Sequence, residues 1–118
     1  MHTNQTSGSV SPVGTFLGPK VLLVNEYSAS DGDLFPYRFK FNKLGTVIGH
    51  RTWGGVVGYS GTIPVVDGGS IVTPSYAPFA ADGSGFIIEG HGVDPDILLE
   101  NDPYLEFNGE DQPLNKAI

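Results

Sequence analysis

Ser30 is the residue of this chain best placed to do chemistry. It ends a turn of small and polar residues, Glu26-Tyr27-Ser28-Ala29-Ser30, and Asp31-Gly32-Asp33 follows directly. Before the turn runs an apolar stretch, Lys20 to Asn25 (KVLLVN); after it comes Leu34 to Leu44, rich in aromatics and punctuated by Lys and Arg. Strand, tight turn, then helix is an order that lifts a serine hydroxyl clear of a sheet and aims the helix's first N–H groups at the same space. It serves acyl transfer: the hydroxyl attacks a carbonyl carbon and the N–H groups stabilise the oxyanion that forms. A serine at a helix start is more commonly only a cap. Asp33, three residues on, completes a capping-box pattern with Asp where Glu is preferred.

A serine hydroxyl needs a base, and the chain holds three histidines. His2 lies in a polar arm. His50 follows an apolar run and is next to Arg51, which opposes its protonation. His91 sits two residues after Glu89 in a glycine-flanked turn. Each is read most simply as a surface histidine. Glu89 ends an apolar run and precedes Gly90-His91-Gly92; a carboxylate there could orient a base supplied from elsewhere. Two other chemistries are open to the acids. Asp31 or Asp33 could pair with Glu89 for acid–base work on a glycoside, and Asp31-Gly32-Asp33 hints at calcium, although the EF-hand spacing is absent.

The elements that must position these residues follow from periodicity and turn chemistry. Lys20–Asn25 fits a strand buried on both faces. A helix is expected from about Gly32 to Lys43, with Pro36 near its first turn or bending it. Thr46–Gly49 is a short buried strand. Ile63 to Val72 reads as two strands around the Asp67-Gly68 turn, Ala80–Gly83 as a second turn, and Phe86–Glu89 as another strand. Asp94-Pro95-Asp96 follows in a loop, and Gln112–Ile118 begins something helical. The chain divides into a polar arm over 1–18 and an ordered part over 19–118.

With 118 residues the chain is one small domain, and 17 Gly with 9 Pro favour strands and turns over a helical bundle. The formal charge is −7, from 13 acidic and 6 basic residues. With no cluster of Lys and Arg, neither nucleic acid nor an anionic membrane is an expected partner. No cysteine is present, which excludes disulfides, a thiol nucleophile and thiolate metal sites. No metal site and no cofactor are expected. There is no signal-peptide pattern and no run near the ~20 apolar residues of a membrane span, so the expected location is cytoplasmic.

Three segments in order, VLLVNEYSASDGDLFPYRF (Val21–Phe39), LGTVIGHRTWGGVVG (Leu44–Gly58) and VDGGSIVTPSYAPFAADGSGFIIEGHGVDPDI (Val66–Ile97), resemble the C-terminal core of the tricorn-type serine peptidases, relatives of the carboxy-terminal processing peptidases. The likeness spans about residues 19–117. It implies an α/β fold of the ClpP/crotonase-like class, a βαβ spiral, here β-rich with one main helix after the nucleophile turn. It implies Ser30 as nucleophile, the Asp31 N–H as part of the oxyanion hole, and Glu89 as the acid that acts through an upstream serine to orient the catalytic histidine. Processing peptidases place a lysine base just after Thr-x-Gly; here Thr52-Trp53-Gly54 is followed by Gly55, which removes a Ser–Lys dyad. The tricorn-type Ser-His pair lies well upstream of the nucleophile, and the 29 residues before Ser30 hold none. The expectation is a core that cleaves peptides by acyl-enzyme chemistry when complete but is inactive alone. It would act as a homo-oligomer or as the complement of an upstream fragment. The alternative is a non-catalytic assembly or binding module of the same fold.

Overall fold

The computed structural model describes residues 16–118; the rest of the polar arm, with His2, lies outside them. The body is a parallel three-stranded sheet in the order β1-β2-β5, from strands β1 (Val21–Val24), β2 (Thr46–Gly49) and β5 (Ile97–Leu98). Helix α1 (Asp31–Phe41) is the crossover between β1 and β2. Strands β3 (Gly58–Pro64) and β4 (Ser70–Tyr76) form a separate antiparallel hairpin. Two short helices, α2 (Pro103–Phe107) and α3 (Gln112–Ala117), follow β5. The described elements make a mixed α/β fold, as expected.

Central β2 is buried along Val47, Ile48 and Gly49, and Val47 packs with Val24 of β1 and Phe39 of α1 to form the core. Edge strand β1 differs from the expectation of burial on both faces. Val21 and Leu23 are about two-fifths exposed: Val24 and Leu22 pack with Phe39 of α1, while the six-residue α3, which also approaches β1 and β2, leaves Val21 and Leu23 partly open. Helix α1 begins at Asp31 and ends at Phe41, and Pro36 sits inside it, buried on the core face. That proline cannot donate to the Gly32 carbonyl, and apolar burial offsets the lost bond.

The Asp67-Gly68 turn joins β3 to β4 as expected: Asp67 Oδ1 accepts the Gly69 N–H at 3.0 Å and the Val65 carbonyl accepts the Gly68 N–H. Phe86–Glu89 is not a strand. Phe86 makes one isolated bridge to Phe79, and the chain turns away at Ile87 and Ile88. Helix α2 was missing from the sequence expectation although its signal is present: Asp102 caps the Tyr104 N–H at 2.8 Å and Pro103 opens the helix. The radius of gyration is 19.8 Å, against about 13 Å for a compact domain of this length. The hairpin accounts for part of the excess, since β3 and β4 pack on each other and expose both faces.

Helix α1 is tied to the sheet by one polar knot. Lys40 Nζ lies 2.9 Å from Asp96 Oδ1 and donates to the Asp94 carbonyl, while Asp96 Oδ2 accepts the Val47 N–H at 2.9 Å. The Lys40 hydrogen bond, then the Val47 N–H, holds the Asp96 carboxyl below the usual carboxylate range. A depressed folded-state pKa gives stability that is present above the unfolded value and lost as pH falls through the folded one. Thermal melts on acidification should therefore show a fall below about pH 4 that is shallower in Asp96→Asn. The Asp96 side chain is 42% exposed, so solvent screening keeps the difference under about 1 kcal/mol. An identical acid slope in the variant would remove Asp96 from the account.

Candidate active site

The turn after β1 is built on Asn25. Its Oδ1 accepts the Tyr27 N–H at 3.1 Å and the Ser28 hydroxyl at 3.2 Å, and its carbonyl accepts the Ser28 N–H. These side-chain bonds close the turn locally. The turn then pairs with the segment that leaves β2, since Trp53 N–H donates to the Ser28 carbonyl at 3.0 Å and Ser30 N–H to the Gly55 carbonyl at 3.1 Å.

Ser30 is exposed and has φ 57° and ψ −112°. A non-glycine residue held at positive φ costs about 1–3 kcal/mol, and such strain clusters where a nucleophile is forced out of a turn. Ser30 and Asp33 form the expected capping-box pair, and its strong half belongs to Asp33, whose Oδ2 accepts the Ser30 N–H at 3.0 Å. The Asp33 N–H donates to the Ser30 carbonyl at 2.9 Å, and the Ser30 side chain faces the same N–H without a full cap hydrogen bond, so the proton of its hydroxyl is not given to any described acceptor. Ser30→Ala should therefore cost no more than about 1 kcal/mol. Ser30→Gly should stabilise by about 1 kcal/mol, because relief of strain exceeds the entropy of an added glycine. Urea titrations of both variants check this, and a destabilised Ser30→Gly would contradict the strain.

Asp31 opens α1, and its N–H has no acceptor among the described residues. Asp33 is completely buried. Its Oδ1 accepts the Gly54 N–H at 2.8 Å, and its Oδ2 accepts the Gly55 N–H at 3.2 Å besides that of Ser30. Out of contact with solvent and surrounded by donors, it can serve neither as a calcium ligand nor as a glycosidic acid, so both of those readings fall for Asp33.

Glu89 is placed on the far side of the same segment. Its Oε2 accepts the Val56 N–H at 2.7 Å and the Val57 N–H at 2.9 Å. The Gly90 N–H donates to the Gly54 carbonyl at 2.7 Å. Just before it, Ile88 has φ 50° and the Glu89 N–H bonds the Ile87 carbonyl, a tight three-residue turn of the strained, positive-φ kind. Ser30 and Glu89 thus flank one backbone strap, 54–57. Gly54 and Gly55 supply the two strap N–H groups on the Asp33 side.

Neither described histidine is hydrogen-bonded to Ser30. His50 Nε2 lies 3.6 Å from Glu100 Oε1, and His91 is engaged by the Gly92 carbonyl at 3.0 Å and Asp94 at 3.7 Å. Among the described residues no group of three or more acids and histidines is placed to hold a metal, and no helix is long and apolar enough to cross a membrane.

The model of peptidase family S41 matches residues 2–99. The chain belongs to peptidase family S41. Within it, the tricorn protease of Thermoplasma volcanium is 47% identical over 99% of this chain, and the tricorn protease homolog of Saccharolobus solfataricus is 46% identical over 95%. These matches cover only 12% and 11% of the relatives' own lengths, so the chain spans about an eighth of the curated proteins it resembles. The crystal structure of the tricorn protease superposes with a TM-score of 0.77 at 39% identity, over 96% of this chain and 11% of that one. The structure of mature CPAF complexed with lactacystin gives 0.74 at 25% identity, over 89% and 20%. These likenesses bear out the tricorn-type resemblance of the sequence. Gly55, which follows Thr52-Trp53-Gly54, is the residue whose carbonyl accepts the Ser30 N–H.

Proposed function

We propose that residues 19–118 are the nucleophile-bearing part of a serine peptidase core with a ClpP/crotonase-like βαβ spiral, acting on peptides through an acyl-enzyme at Ser30. The observation that carries this reading is the strained, exposed Ser30 at the start of α1, with its hydroxyl proton free and the Asp31 N–H without an acceptor among the described residues beside it. In the reaction, Ser30 Oγ attacks the peptide carbonyl carbon and gives its proton to a base. The Asp31 N–H donates to the oxyanion, and the leaving amine takes the proton as the C–N bond breaks. Water then hydrolyses the ester. Glu89 has one oxygen free beyond its bonds to the strap, and that oxygen orients the group that carries the base.

The base is supplied from outside residues 16–118, because no described histidine or lysine is bonded to Ser30. A second copy or another segment also covers the apolar residues that the hairpin exposes, among them Tyr59, Ile63 and Tyr76. The reading is tested by reacting the folded chain with a fluorophosphonate, alone and with added imidazole free base, and weighing the intact protein. One adduct per chain, formed about tenfold or more faster with imidazole and absent from Ser30→Ala, is expected. No adduct under any condition would leave a binding module of peptidase fold.

A further inference from the structure

Four consecutive N–H groups of the strap are taken up by two carboxylates, Gly54 and Gly55 by Asp33 and Val56 and Val57 by Glu89. The Asp33 end also holds the nucleophile's own amide. The Ser30 N–H lies between Asp33 Oδ2 at 3.0 Å and the Gly55 carbonyl at 3.1 Å, so its peptide plane is fixed by two acceptors. An aspartate that only capped α1 would be stable with its carboxylate in solvent. Asp33 is instead fully buried, a position that is costly unless hydrogen bonds to the charge offset the lost hydration. What the buried carboxylate gains is rigidity between two chain segments 21 residues apart in sequence.

From this geometry we propose that Asp33 is a positioning residue for the Ser30 nucleophile: its buried carboxylate clamps the Ser30, Gly54 and Gly55 amides together and so holds the strained turn that presents the hydroxyl. This rests on Ser30 being the nucleophile. Asp33 touches no substrate and acts only through the backbone. The Asp31 amide is open because it is the first of α1, where no intrahelical acceptor exists.

The test compares imidazole-assisted fluorophosphonate labelling in the unsubstituted chain, in Asp33→Asn and in Val47→Ala, each well below its own melting temperature. Asn keeps the size of Asp but replaces one acceptor oxygen with a donor-only amide. The expected fall in rate for Asp33→Asn is about 10- to 100-fold, the scale of a misplacement near 1 Å. Val47→Ala weakens the core without touching the clamp and should label within about twofold of the unsubstituted chain. Equal labelling of Asp33→Asn and the unsubstituted chain, or an equal fall in Val47→Ala, would overturn the proposal. If the unsubstituted chain took no label, the nucleophile reading would fail instead. Amide hydrogen exchange of the unsubstituted chain then decides the clamp alone: Ser30, Gly54 and Gly55 should exchange together and orders of magnitude more slowly than Asp31. Exchange at one common rate would overturn it.

Discussion

Imidazole should raise the rate of fluorophosphonate labelling at Ser30 by about tenfold or more across its soluble range. General-base assistance from a positioned side chain is worth about 10²–10⁴-fold, and a diffusing base recovers part of that without the benefit of being held in place. The effect should rise with pH through the range in which imidazole loses its proton, because only the free base can accept one from the hydroxyl. The physical ground is local. Ser30 is exposed and its hydroxyl proton is uncommitted, and the two described histidines are held elsewhere by Glu100, Asp94 and the Gly92 carbonyl. Pseudo-first-order rates against free imidazole give the slope. A fast rate without imidazole would show that a base already stands beside Ser30.

Gly54→Ala should destabilise the chain by about 2–5 kcal/mol, by addition of a positive-φ penalty of about 1–2 and an overpacking term of about 1–3. Gly54 is buried at φ 86°, and a Cβ there would strike the backbone of His91 and Gly92, which cannot swing aside as a side chain would. Its N–H is bound by Asp33 and its carbonyl by Gly90, so relaxation would break one clamp or the other. Urea titration with the midpoint as readout measures the loss. A change below about 1 kcal/mol would mean that the two segments are not in close contact. Since Gly54 joins the Asp33 side of the strap to the Glu89 side, labelling of Ser30 should fall together with stability.

Local pattern was enough to read β1, α1, β2 and the hairpin, because each is set by short-range periodicity or by one turn, such as Asp67-Gly68. Phe86–Glu89 shows where that stops. Its apolar run fits a strand, yet Ile88 is at φ 50° because Glu89 and Gly90 are tethered to the strap more than 30 residues away in sequence. Ser30 could be found from residue order alone. Asp33 was legible as a cap partner but not as a buried clamp, since its Gly54 and Gly55 donors lie 21 and 22 residues away in sequence. Exposure of β1 had the same cause: an apolar run announces what a strand can bury, while the coverage of each face is decided by other elements.

Every role assigned around the strap depends on which atom is the nucleophile. Digestion of the imidazole-labelled chain and tandem mass spectrometry of the peptides locates the phosphonyl group directly. The predicted result is a single adduct on Ser30 and none on Ser28 or on any tyrosine. An adduct spread over exposed serines and tyrosines, or one confined to a residue other than Ser30, would contradict it.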